Sequence, residues 1–174
     1  MNGEPFVLGG ISIPSDAPLF LSVLGVHVLF GLSGVVTGAV AMFNKKMAGR
    51  HPRFGTYYYW SLAVVFVTAA GLSAMRWAED YHLFVLGALS FSAAWIGRRA
   101  RRRRWSHWLQ VHVSGLGMSY VLLLTAFYVD NGPQLPLWNK LPAIAFWLLP
   151  AAISVPLIVR ALLYHPLVVS ATRR

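Results

Sequence analysis

Apolar residues run along this chain in five long stretches separated by short polar connections, near Ala17 to Phe43, Phe54 to Met75, Tyr81 to Gly97, Trp105 to Val129 and Leu141 to Tyr164. Each meets or approaches the roughly 20 residues that cross a ~30 Å hydrocarbon layer as a helix. The third is the shortest. Hydrocarbon offers no water to backbone groups, so such runs satisfy their own hydrogen bonds as helices, and the alternation of a barrel strand is absent. The pattern predicts an all-α, polytopic membrane helix bundle: one domain over residues 1–174 with five transmembrane helices. Residues 1–16 are expected to form an extracytoplasmic tail and 165–174 a cytoplasmic one. The apolar piece Phe6 to Ile13 is too short to span and is expected to lie against the outer surface. No basic residue follows the amino terminus there, so a cleavable signal is not expected.

Composition supports the membrane assignment. The chain is 57% hydrophobic and 11% charged, against about 25% charged in a soluble domain, and such a chain cannot cover its apolar surface in water. A net charge of +10 would suggest nucleic acid in a soluble protein, but its placement gives another answer. The absence of cysteine excludes disulfides, thiolate metal sites and thiol catalysis.

Placement sets orientation. Lys45, Lys46, Arg50 and Arg53 fill the first connection, Arg98, Arg99 and Arg101 to Arg104 the third, and Arg160, Arg173 and Arg174 the carboxyl end. All five acids, Glu4, Asp16, Glu79, Asp80 and Asp130, fall in the opposite group with Arg76 and Lys140. Basic residues are retained in the cytoplasm, which predicts an outer amino terminus and a cytoplasmic carboxyl terminus, most simply in a bacterial cytoplasmic membrane. Arg101, Arg102, Arg103 and Arg104, with Arg50, Arg53 and His107, are expected to meet anionic lipid headgroups. Nucleic acid is not expected, because so short a connection lacks an extended groove with interleaved aromatics. Tyr57 to Trp60, Trp77, Tyr81, Trp95, Trp105 and Trp108 fall at span ends and read as interface anchors.

Small residues indicate packing faces. Gly31, Gly34 and Gly38 in the first helix, the last two in G-x-x-x-G spacing, and Gly115 with Ser119 in the fourth are expected to admit a neighbouring helix. His27 precedes Gly31 by four residues and therefore points into the bundle, ~14 Å from the helix start. His112 shares a stripe with Gly115 and Ser119. His51, His107, His112 and His165 gather at the inner side, and His82 stands alone outside. In the fifth stretch, Pro142 suits a helix start, whereas Pro150 and Pro156 would release the carbonyls of Phe146 and Ala152 and bend the rod.

One resemblance rests on these residues. His27, Gly31, Gly34 and Gly38, then His51 to Tyr57 (HPRFGTY), then an arginine-rich connection followed by His107, resemble a bacterial family of predicted membrane proteins, domain-of-unknown-function 2306. The family's usual H-R before the fourth helix stands here as His107 and Trp108. The resemblance covers the first four helices. It implies a small helical bundle and no particular activity.

Three functions fit the pattern. The first is a non-catalytic accessory or interaction subunit that uses its glycine faces to bind a membrane-protein partner or a second copy in a homo-oligomer. The second is an electron carrier for quinone or b-type haem, with axial imidazoles from His27 and His112 or from His51 and His112. The third handles lipid or a small anion at the cytoplasmic leaflet through His51, His107, Arg50 and Arg53. No catalytic residue emerges, since no serine or carboxylate stands near those groups.

Overall fold

The computed structural model describes residues 4–44, 49–164 and 166. Lys45, Lys46, His165, Arg173 and Arg174 lie outside the described residues. The order is β1 (Phe6–Leu8), β2 (Ile11–Ile13), α1 (Pro18–Phe43), α2 (Arg50–Met75), α3 (Trp77–Arg103), α4 (Trp108–Asn131) and α5 (Ala143–Tyr164). Two 3₁₀ turns, Gly132–Gln134 and Trp138–Lys140, join α4 to α5. The predicted all-helical architecture is observed, with one addition. Phe6 to Ile13 forms an antiparallel hairpin turned by Gly9 and Gly10, at φ 59° and 88°, where a side chain would be strained. It reaches the α4–α5 connection, the Ser12 amide donating to Gln134 Oε1 at 2.6 Å.

Local chemistry explains the helix ends. α1 begins with Pro18 at a first-turn position where its missing N–H costs nothing. α2 begins at Arg50 and not at the expected Phe54, which places His51 and Pro52 in its first turn, where amides need no intrahelical acceptor. α3 is longer than predicted at both ends. Glu79 and Asp80 lie in its first turn and Arg101, Arg102 and Arg103 in its last, so each end carries the charge its dipole favours. The arginine run is therefore mostly helix. The connection to α4 is only four residues, and Arg104 and His107 make the turn in left-handed conformations, φ 51° and 56°. α5 is helical throughout, with Pro150 and Pro156 inside it.

α1, α2, α4 and α5 are long and apolar enough to cross a membrane. The most apolar windows of α1 and α5 have mean hydropathies of 2.2 and 2.0, yet only 11% of each is buried. Side chains that apolar and that exposed need lipid as their solvent, and this is a transmembrane helix bundle. α1 packs on α2, α2 on α3, α3 on α4 and α4 on α5, and α1 also touches α4. Tyr58, Leu62, Val65, Ala94 and Leu123 form the core between α2, α3 and α4. Tyr58, expected as an interface anchor, is buried because its hydroxyl finds Ser119 Oγ at 2.7 Å. A row of rings joins α2 to α3: Tyr59 to Phe91 at 5.6 Å, Phe91 stacked on Phe66 at 5.6 Å, Phe66 to Phe84 at 6.1 Å and Phe84 to Trp77 at 5.8 Å.

Candidate functional site

The α3–α4 interface sets the site. Leu86, Ser90, Ala94, Gly97 and Ala100 form the buried stripe of α3 and face Gly115 and Ser119 of α4. Backbones nearly touch at the crossing. A Cβ on Gly115 would stand 2.7 Å from the Ala93 carbonyl oxygen and 2.9 Å from the Gly97 Cα, so only glycine fits. One turn further along α4, away from the arginine end, the Ser90 hydroxyl donates to the Ser119 carbonyl at 2.7 Å. Gly115 and Ser119, expected to admit a neighbouring helix, stand at this contact. Gly97, read as a helix end, is a contact residue.

That approach positions His112. Its Nδ1 lies 3.1 Å from the Gly97 carbonyl oxygen. His51 Nδ1 lies 2.8 Å from the carbonyl oxygen of Ala41, in the last turn of α1. A carbonyl oxygen only accepts, so Nδ1 is the protonated nitrogen in both rings and the lone pair falls to Nε2. The two imidazoles stand with centroids 6.4 Å apart and planes at 87°. Residues from all of α1, α2, α3 and α4 thus meet at one level, near the arginine-bearing ends of the helices. A cleft of about 620 Å³ lies next to His51, with Arg50, Arg53, Phe54 and Tyr57 among its walls. Neither histidine lines it.

The remaining sequence-predicted residues are placed elsewhere. His27 Nδ1 lies 2.9 Å from the Thr68 hydroxyl, which itself donates to the Val64 carbonyl at 2.8 Å, so His27 donates and ties α1 to α2. It is 14 residues from Ala41, about 21 Å along α1, and is not part of the His51–His112 pair. Gly34 and Gly38 pack as expected, the latter under the rings of Tyr120 and Tyr58. Gly31 does not: a Cβ there would meet nothing within 4 Å. His107 is exposed in the α3–α4 turn, its Nδ1 2.9 Å from Ser106 Oγ. Arg101 to Arg104 are exposed.

The opposite end of the bundle holds an ion pair across one turn, i to i+4. Arg76 meets Asp80 at 3.4 Å, and Ser73 caps the turn by donating to the Asp80 carbonyl at 3.1 Å. Burial lifts the Asp80 carboxyl above the usual carboxylate range, and the Arg76 guanidinium opposes that lift. Thr68 and the Ala41 carbonyl, partners of two histidines, carry no signal in the sequence.

Among the described residues no three histidine, aspartate or glutamate side chains come together as a metal site. No family model matches the sequence, and no characterised protein or solved structure matches it either.

Proposed function

We propose that the chain is a membrane haem b protein of the electron-transfer class, with His51 and His112 as the two axial ligands. The observation that carries this reading is the pair itself. A metal held by one nitrogen of each ring at ~2.0–2.1 Å separates the ring centres by about 6 Å, close to the 6.4 Å found. Both Nδ1 atoms are already engaged by carbonyls, the arrangement that orients a ligating imidazole and raises its basicity. Two imidazoles without a third side chain suit a macrocycle that supplies four nitrogens of its own, and they undersupply a protein-only tetrahedral site. Arg50 and Arg53, in the cleft next to His51, suit the carboxylates of such a group. Held by His51 and His112, such a group would supply single-electron transfer, with neither imidazole left as a place for substrate.

The sequence alone placed a non-catalytic accessory subunit first. The paired imidazoles favour the electron carrier over it and over lipid or anion chemistry, since His107 stands apart from His51. The reading takes five crossings, with α3 the fifth. It packs between α2 and α4, linked to them by one residue, Arg76, and by a four-residue turn, so it runs to their depth. The positive-inside distribution then puts the histidine pair in the cytoplasmic leaflet and the amino-terminal hairpin outside.

The test is the absorption spectrum of protein purified in mild detergent from haem-replete cells. A Soret band is expected, with low-spin α and β bands on reduction, lost in His51→Ala and in His112→Ala and kept in His82→Ala and His107→Ala. Protein that shows no Soret band, and takes up none when reconstituted with haemin, overturns the proposal.

A further inference from the structure

A second cleft, of about 250 Å³, lies between α2 and α3 at the arginine-bearing end, apart from the histidine pair. Its walls are Tyr59 and Trp60 of α2 and Trp95, Arg98, Arg99, Arg102 and Arg103 of α3. We infer that it is a binding site for one anionic phospholipid, with the headgroup phosphate held by Arg102 and Arg103 and the glycerol and upper acyl chain along Trp60 and Trp95.

Three observations support this. The first is charge without a counter-ion. Among the described residues the only ion pair is Arg76–Asp80, and Asp80 is 18 residues from Arg98, about 27 Å along α3. Burial and the neighbouring Arg102 push the Arg98 guanidinium below its usual range, a crowding that an anion relieves. The second is preorganisation: Arg98 lies 4.4 Å over the Tyr59 ring and Arg99 5.1 Å over the Trp95 ring. Side chains fixed by ring faces lose less freedom when they bind. The third is the gradient along the cleft. Trp60 and Trp95 are exposed near its bilayer-facing end, while Arg102 and Arg103 are exposed a turn or two further toward the helix end. An apolar wall continuing into a basic one matches an amphiphile at the membrane surface, and basic pockets between transmembrane helices take phosphate headgroups. A soluble phosphate would use only half of it.

The experiment titrates the full chain in dodecylmaltoside with dioleoyl phosphatidylglycerol, dioleoyl phosphatidylcholine or inorganic phosphate, and reads bound lipid by native mass spectrometry. Wild type is expected to retain one phosphatidylglycerol in preference to phosphatidylcholine, unaffected by millimolar phosphate. R102Q/R103Q is expected to weaken retention by about tenfold or more, and R101Q/R104Q, which loses the same charge outside the cleft, by less than about threefold. W60A, with every charge intact, is expected to weaken it several-fold. Equal losses in the two arginine pairs would reduce the cleft to diffuse attraction and overturn the inference. Displacement by free phosphate, or an unaffected W60A, would overturn it as a lipid site. None of these outcomes depends on haem.

Discussion

Replacing Gly115 with alanine tests the packing that positions His112. The added Cβ would stand 2.7 Å from the Ala93 carbonyl oxygen, 2.9 Å from the Gly97 Cα and 3.0 Å from the Gly97 nitrogen. All three are backbone atoms, so no rotamer change relieves the clash. Ordinary contact begins near 3.4 Å, and α3 and α4 must separate by about 0.7 Å at this level. The Gly97 carbonyl, 3.1 Å from His112 Nδ1, lies on the moving segment, and that bond would stretch beyond hydrogen-bond range.

A clash with three backbone atoms falls in the upper part of the range for overpacking, about 2–3 kcal/mol, and alanine returns up to ~1 kcal/mol over glycine in helix propensity, leaving a net loss of about 1–2 kcal/mol. Gly31→Ala is the matched control. Nothing lies within 4 Å of its Cβ, so it is expected to be neutral or to stabilise by a few tenths of a kcal/mol. Equilibrium unfolding in mixed micelles, titrated with sodium dodecyl sulfate, measures both. Gly115→Ala as stable as wild type would refute the backbone contact and the reasoning built on it.

Tyr58→Phe removes a buried hydroxyl that meets Ser119 Oγ at 2.7 Å, and the same titration is expected to show a loss of about 0.5–1.5 kcal/mol. Asp80, raised by burial, holds its proton more tightly folded than unfolded, so its contribution is greatest at low pH and declines as pH climbs past the ordinary carboxylate value. Thermal unfolding from about pH 4 to 6 should show that decline in wild type and a flatter profile in Asp80→Asn; a steeper one would reverse the sign. Reporter fusions after Arg104 and within the Gly132 to Lys140 connection should be active on opposite sides of the membrane, the first in the cytoplasm.

Much of the fold was legible because bilayer solvation imposes one rule on every span. Run length and charge placement located five helices to within a few residues at most ends. The misses came where tertiary contact outweighs local pattern. Tyr58 sits in a run of aromatics that reads as a headgroup girdle, yet a serine 61 residues away draws it inside. Gly31 and Gly34 look alike in sequence, and only their neighbours in three dimensions, Leu123 and Ser61 beside Gly34 and none beside Gly31, separate the packed glycine from the other. The arginines read as a loop because their charge dominates, whereas dipole complementarity and ring stacking keep five of them helical. Of the site, the histidines themselves were legible. Which two meet was not, since that depends on how α2 starts and on how closely Gly97 lets α4 approach.

The pair invites a plainer account, in which each imidazole only ties two helices together. Elsewhere this bundle makes such ties mostly with hydroxyls, Ser90 to the Ser119 carbonyl, Tyr58 to Ser119 and Tyr120 to the Val35 carbonyl at 3.0 Å, and also with a histidine, His27 to Thr68. Hydroxyls suffice for cross-links in hydrocarbon and bring no titratable charge. The His51 and His112 rings stand at one level, 6.4 Å apart, each held through Nδ1, and that pairing is what the ligation account rests on. Asparagine separates the two accounts, because its amide nitrogen stands where Nδ1 does and donates to the same carbonyl, but nothing replaces Nε2. In His51→Asn and His112→Asn, ligation predicts that the Soret band disappears while the apoprotein unfolds within about 1 kcal/mol of apo wild type, since the cross-links persist. A clamp with no ligand predicts no spectral change, because there would be no band to lose.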